Sequence, residues 1–427
     1  SPELRVTVSP AQGEVPAGGR LRVTVTITGR RVGHHAVHGL SLEVQGGPGL
    51  FEVPLTFANP HGIEVLPHPY ARMARLARGG RSRRDADRGR ANPLVGESGE
   101  LRELRQHQPG DPLRRIAWRA SARRGQLLVR EYERDERDVV FLLVDAAVEL
   151  FAGQPGEAAL DRVLDEAAAV ALRHIGRGDR VGLAIVGRRP LAWLPPDSGT
   201  RHSLALLEAL AHAPSPVHAE RSGLDEADTA VRVLEHMRPL DPVTAGDVGF
   251  NELDRIARRV EKLLPRSPFP EAQVFAPSRR EQTLRRYLEA FGLGSPARLG
   301  SDRAEVDALL SQSLVRLRGE RPRASLVYLW TPPPERGSRT ALVEAVTRMR
   351  SRRASLIWAS VPLHVGIEAA EGHGGIVGRT LARRSELAQL QAERALRKLG
   401  VQVERLHPES EPAASPLREP PELSPRL

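Results

Sequence analysis

Residues 1–66 alternate between apolar and polar positions. Leu21, Val23, Val25 and Ile27 fall on one side of an extended chain, and Arg22, Thr24, Thr26 and Thr28 on the other. A period of two is the mark of a half-buried strand. Similar runs occupy 4–8, 40–44 and 51–57, separated by Gly, Pro and Asn clusters, which predicts a small β-sandwich over 1–70. From residue 138 the rhythm changes. Val139, Val140, Phe141, Leu142, Leu143 and Val144 form an unbroken apolar run ending at Asp145, as a central strand buried on both faces requires. Over 157–175 apolar residues recur every three and four positions (Leu160, Val163, Leu164, Ala167, Val170, Ala171). That is a helical stripe, and Gly176 and Gly178 stop it. Further strands are predicted at 181–186, 325–330, 355–361 and 401–406, with 191–194 folding back as a hairpin. Helices are predicted from 203 to 210, at 338–352 and at 378–399.

Strands alternating with helices predict an α/β fold over 138–406, a doubly wound Rossmann-type sheet covered on both faces. The alternation lapses over 213–322, where helical periodicity at 252–264 and 281–291 predicts a helical insertion. The Pro-rich stretch 407–427 holds too little apolar surface to offset its ordering entropy and is expected to be disordered.

Composition narrows the chemistry. A chain of 427 residues exceeds what one core usually organises, so two or three domains are expected. The absence of cysteine removes disulfides, thiolate metal sites and cysteine nucleophiles. Only two lysines occur, Lys262 and Lys398, and neither follows a glycine-rich turn, so the phosphate-cradling P-loop is absent. Charge-free apolar stretches such as 354–367 fall short of the ~20 residues that span a bilayer. A cytoplasmic location is expected for the chain as given. It opens on Ser1, not Met, so upstream residues are expected to have been removed. The net charge of +10 is local: 1–70 carries five arginines against five acids, whereas 71–137 carries 18 arginines against 10 acids. Within 72–90 the arginines surround Gly79, Gly80 and Gly89 with no aromatic residue to stack on bases. A flexible basic loop is the plain reading; a polyanion partner, nucleic acid above all, is the alternative.

Residues 105–123 read Arg-Gln-His-Gln-Pro-Gly-Asp-Pro-Leu-Arg-Arg-Ile-Ala-Trp-Arg-Ala-Ser-Ala-Arg. Pro109, Gly110, Asp111 and Pro112 make a turn. Trp118 is expected to pack inward, and the arginines at 114, 115, 119, 123 and 124 to present forked donors to carboxylates of the neighbouring domains, making 105–133 a bridge. This segment resembles the signature of the bacterial domain of unknown function 58 family: Arg-x-Tyr-x-x-Gly-Asp, then Arg-x-Ile-x-Trp, Ser-Ala-Arg and Val-Arg-Glu. The matching positions are Arg105, Gly110, Asp111, Arg114, Ile116, Trp118, Ser121, Ala122, Arg123, Val129, Arg130 and Glu131. His107 stands where the family usually has tyrosine. The resemblance extends back through Arg30, Arg31, Val32, Gly33, His34 and His35 to Val65, Leu66 and Pro67, and forward through the α/β region. It implies a von Willebrand factor A-like C-terminal half, membrane-spanning helices before the β-domain, and a MoxR-type AAA+ ATPase encoded alongside. An upstream anchor in the inner membrane would follow from it. The binding positions it marks are Arg105, Gly110, Asp111, Arg114, Trp118, Ser121, Arg123 and Arg130.

Domains of the von Willebrand A type bind Mg²⁺ through Asp-x-Ser-x-Ser at the end of the first strand, with a threonine and an aspartate from other strand ends. Here the stretch is Asp145-Ala146-Ala147-Val148-Glu149, and Thr331 is followed by three prolines where an aspartate is expected. The reading is a degenerate metal-ion site at Asp145, Ala147, Glu149 and Thr331, with no metal, no cofactor and no catalytic residue. A cation held by Asp145 and Glu149, helped by Thr331 or Thr200, is the weaker alternative, and with it a metal-dependent enzyme. Asp145 is poorly suited as a phosphoryl acceptor because Ala147 stands where an acid is needed; capping the adjacent loop or pairing with an arginine is the plainer role. His34, His35 and His38 read as residues of a Gly-flanked link between strands, without ligand role, and His174 as a helix-end residue. The function expected is that of a non-enzymatic adaptor for a MoxR-type ATPase.

Overall fold

The computed structural model describes residues 3–46, 51–67, 95–108, 111, 113, 116–133, 137–334, 338–350, 354–363 and 373–406. The arginine-rich stretch 72–90, the tail 407–427, Gly110 and Arg114 lie outside the described residues, and so does the side chain of Arg130.

The alternating N-terminal region forms four strands: β1 (Leu4–Ser9), β2 (Thr24–Gly29), β3 (Gly33–Gly46) and β4 (Phe51–Val65). β1 pairs antiparallel with β2, and β3 with β4, as two separate two-stranded ribbons. Their apolar rows, Val6, Val8, Val25 and Ile27 on one ribbon and Leu42, Val44, Val53 and Leu55 on the other, stay exposed. A period of two reveals that a strand has an apolar face, and leaves open which surface covers it. His34, His35 and His38, expected in a link between strands, instead lie on β3. The signature segment follows as β5 (Val95–Gln106), α1 (Trp118–Arg124) and β6 (Leu128–Glu133), with β5 antiparallel to β6.

Beyond it the α/β region assembles from β7 (Val139–Asp145), α2 (Ala159–Gly176), β8 (Arg180–Val186), β9 (Pro190–Asp197) and α3 (Thr200–His212). After an excursion come α8 (Arg303–Gly319), β10 (Leu326–Thr331), α9 (Thr340–Arg350), β11 (Ser355–Ser360), α10 (His373–Lys398) and β12 (Gln402–Arg405). The six strands lie in the order β12-β11-β10-β7-β8-β9, all parallel except β9, the hairpin partner of β8. The continuous apolar run of β7 now has its reason. Val140, Leu142 and Val144 enter a core shared with α2 and α3, while Phe141 and Leu143 enter a second core with α8 and α9. Each fully buried side chain of this size contributes roughly 1.5–3 kcal/mol.

The excursion comprises α4 (Glu226–Leu240), α5 (Pro242–Ala245), α6 (Leu253–Leu263) and α7 (Arg279–Ala290), which close on a core of their own around Val233, Leu234, Ile256, Val260, Leu284 and Leu288. α8 falls within the span 213–322 expected to be inserted, yet Val306, Leu310, Leu314 and Leu317 pack it on the sheet. The β3 ribbon and the residues leading into it dock on both units: Nε of Arg31, just before β3, lies 3.2 Å from Asp161 Oδ1 of α2, and His38 Nδ1 of β3 lies 2.8 Å from His236 Nε2 of α4.

Candidate functional site

The chain leaves β7 toward β8 and β9 on one side of the sheet and returns through β10 toward β11 and β12 on the other. Strand order reverses between β7 and β10, and the crevice beyond the carboxyl ends of strands at such a point is the usual ligand position in open α/β sheets. Asp145 ends β7 and Thr331 ends β10 at this place.

Asp145 is fully buried. Its Oδ1 accepts the backbone N–H of Ala147 at 2.9 Å, and its Oδ2 accepts the Thr331 hydroxyl at 2.5 Å. The remaining partner is Arg303, at the first position of α8, whose Nη1 donates to the same Oδ2. Arg303 Nε donates to Glu149 Oε1 at 2.7 Å, and Nη1 stands 3.4 Å from Thr331 Oγ1. A second arginine, Arg339, donates to Thr331 Oγ1 at 2.8 Å and forks onto both oxygens of Asp307 at 2.6 and 2.7 Å. Burial alone would lower the Arg303 pKa; Asp145 and Glu149 more than reverse this and hold it above its ordinary value. Burial first, then the charges of Glu149 and Asp145, raise the pKa of Asp302, which also accepts the Val148 N–H at 3.1 Å.

These residues do not fit the Mg²⁺ site that the resemblance implies. An ion there needs open oxygen donors around a vacant centre, and the centre between Asp145, Glu149 and Thr331 holds a guanidinium. Ala147 offers no donor and packs into the core against the second face of the sheet. Thr200 begins α3 just after Asp197, which pairs with Val181 at the opposite end of the sheet, so it cannot assist Asp145. Arg303, Asp302, Asp307 and Arg339 escaped the sequence reading. Arginine is abundant throughout the chain, and no local pattern marks these two.

A third missed arginine lies close by. Arg221 is buried, donates to the Ala213 carbonyl at 2.8 Å and the Ser215 carbonyl at 3.2 Å, and leaves Nε without a partner among the described residues. Burial lowers its pKa to about 10. It borders a cavity of about 280 Å³ lined also by Leu191, Ala192, His212, His218 and Glu289.

In the signature segment, Arg105 forks onto Asp111 at 2.7 and 2.8 Å, and the Gln108 N–H adds a third bond at 2.8 Å. The Arg105 bond, then that backbone N–H, hold the Asp111 carboxyl well below the usual carboxylate range. Ser121 is buried and accepts the Leu128 N–H at 2.9 Å. Arg123 is exposed in the last turn of α1, where a cation meets the helix dipole favourably. Trp118 does not pack inward: it opens α1 and is 63% exposed, because Ile116, Ala117, Leu128 and Val129 already fill the small interior.

Each β3 histidine finds a partner outside its ribbon. His34 stacks on Phe269 with ring centroids 4.3 Å apart and meets His212 edge-on at 4.4 Å. Burial, then the neighbouring His212 and His35, lower its pKa to about 4. His236, between His38 and the Tyr287 hydroxyl, is lowered to about 3, mainly by burial. His174 sits in the last turn of α2, buried, with Nδ1 2.8 Å from Asp179 Oδ2.

Comparison with known proteins places the chain beside proteins that carry no assigned activity. The family model described as Protein of unknown function DUF58 matches residues 103–262, a span that runs from the signature segment through β7 to α6 and stops short of Arg303 and Thr331. Uncharacterized protein Rv1480 of Mycobacterium tuberculosis is 29% identical over 174 residues, 40% of this chain and 55% of its own length. Uncharacterized protein YeaD of Bacillus subtilis is 27% identical over 181 residues, 42% of this chain and 43% of its own. The chain thus spans about half the length of the curated relatives it matches. No solved structure matches. No helix among the described residues is long and apolar enough to cross a membrane.

Proposed function

We propose that this chain is a non-enzymatic interaction protein, an adaptor for a MoxR-type AAA+ ATPase or its clients. The observation that carries this reading is Trp118, held out to solvent beside exposed Arg119 and Arg123 on a platform tied by the Arg105–Asp111 and Ser121–Leu128 bonds. Trp and Arg dominate the energetics of protein–protein contacts, and neither is used here to build the interior. The segment serves as a docking face and not, as its sequence suggested, as a bridge held by a buried Trp118.

The finer fold reading belongs to the same proposal: a β-sandwich followed by a von Willebrand A-like domain. A strand order that reverses beside β7, the antiparallel edge strand β9 and an aspartate at the end of the central strand support it. On this reading Arg303 supplies the positive charge that an ion supplies elsewhere, and the switch point is a structural joint.

The test is direct binding of the purified chain to a MoxR-type ATPase from the same cell. Trp118→Ala is expected to weaken binding by about 30-fold, the loss of a hot-spot side chain worth roughly 2 kcal/mol, while unrelated duplex DNA does not compete. No binding by the unaltered chain at low salt, full affinity in Trp118→Ala, or displacement by DNA would each count against the adaptor.

A further inference from the structure

Three ligand-type side chains, remote from one another in the chain, converge beside the β3 ribbon. His34 of β3, His212 at the end of α3 and Glu289 in the last turn of α7 each bring one donor atom into a group whose members all lie within 4.8 Å of one another. Among the described residues no other set of three histidine, aspartate or glutamate donors is gathered in this way. The carboxylates at the switch point are not, because Arg303 stands among them.

All three side chains are oriented by neighbours. Nδ1 of His212 lies 2.8 Å from the carbonyl oxygen of Glu208, one turn earlier in α3. A carbonyl only accepts, so Nδ1 carries a proton, and in the neutral ring Nε2 keeps its lone pair, the arrangement found behind metal-bound histidines. Ser215 Oγ donates to Glu289 Oε2 at 2.6 Å and leaves Oε1 for a further partner. The ring of His34 is fixed by its parallel stack on Phe269. Glu289 is only 9% exposed; the ion pairs among the described residues do not include it, although its charge also acts on the buried Arg221. A carboxylate so placed gains from a positive charge brought to it.

The geometry points to a Zn²⁺ site formed by His34, His212 and Glu289, which clamps the N-terminal ribbon to α3 and to the helical insertion. Two imidazoles and one carboxylate are a zinc donor set, whereas Mg²⁺ and Ca²⁺ demand oxygen ligands throughout. Bonds of about 2.0–2.2 Å to a tetrahedral ion bring donors to about 3.3 Å from one another, so the side-chain ends need move by only about 1 Å. His212 and Glu289 also line the 280 Å³ cavity, which has room for water at the fourth position. The site is independent of the adaptor reading and shares no residue with the docking face.

The test is calorimetric titration of Zn²⁺ into the full chain after chelator treatment, with Co²⁺ as a second probe read by its visible absorption. The expected result is one ion per chain, a four-coordinate Co²⁺ spectrum without thiolate bands, and a rise in Tm on adding Zn²⁺, since the ion binds only when the three elements are docked. His212→Ala, a change at an exposed position, and Glu289→Gln are expected to abolish saturable binding. Ser215→Ala is expected to weaken it by roughly 10–100-fold. His202→Gln, near the other end of α3, is expected to leave it intact. No saturable binding, or binding unchanged in His212→Ala and Glu289→Gln, which would mean adsorption to other histidines, would overturn the site.

Discussion

Asp145 has no solvent to share its charge, and its oxygens are used by the Ala147 N–H, the Thr331 hydroxyl and the Arg303 guanidinium. Removing the guanidinium leaves a buried carboxylate uncompensated, which typically costs 3–5 kcal/mol. Arg303→Met is therefore expected to lower stability in urea unfolding by about that much. Asp145→Ala added to Arg303→Met is expected to cost less than the sum of the two single changes, because both act on one interaction; strict additivity would show that the pair is not coupled. Glu166 of α2 is the opposite case, a carboxyl buried against Trp330, whose Nε1 donates to Oε2 at 2.8 Å. Burial, reinforced by Glu404 and only partly offset by the Trp330 bond, pushes its pKa up to about 7. The folded chain holds this proton where the unfolded chain has released it. Stability is therefore full below the ordinary carboxylate pKa and falls as pH rises to about 7, by up to about 3 kcal/mol. Glu166→Gln keeps an acceptor for Trp330, and its stability is expected to exceed that of the parent chain at pH 8 and to converge with it near pH 4. Parallel curves would refute the assignment.

Among the elements, β3 shows how docking constrains local sequence. Gly292, just beyond α7, has a φ of +59°, and a Cβ there would meet the His35 carbonyl carbon at 2.8 Å and the Ala36 nitrogen at 2.9 Å. Both backbone conformation and close approach call for glycine. Gly292→Ala is expected to destabilise the chain by about 1–3 kcal/mol and to raise hydrogen exchange in 33–37 more than in β7; uniform exchange would show that the contact does not hold the ribbon. The period-two pattern of 21–28 led to a strand at Thr24–Gly29 and the apolar run of 139–144 to the central strand. Both follow from the local spacing of apolar residues, although β2 stays exposed where a half-buried strand was expected. The same local logic misread 33–39 as a link, because three histidines and two glycines resemble a loop until a ribbon and a helical unit enclose them. It also left α8 inside the insertion, although the spacing of Val306, Leu310, Leu314 and Leu317 fits a helix on either core.

For the molecule as a whole, the six strands of the α/β sheet and the helices α2, α3, α9 and α10 were legible along the chain, and α8 was not. A strand buried on both faces needs an unbroken apolar run and a covering helix needs a stripe, and both are properties of neighbouring residues. Of the turn expected at 109–112 only Asp111 lies within the described residues, where Arg105 and the Gln108 N–H hold its carboxylate. Only the tertiary structure decided that Trp118 faces water, that Arg303 fills the space between Asp145, Glu149 and Thr331, and that His34, His212 and Glu289 meet. Each of these depends on which distant surfaces are brought together. A partner more than a hundred residues away leaves no period, spacing or composition in the local sequence from which its arrival can be read.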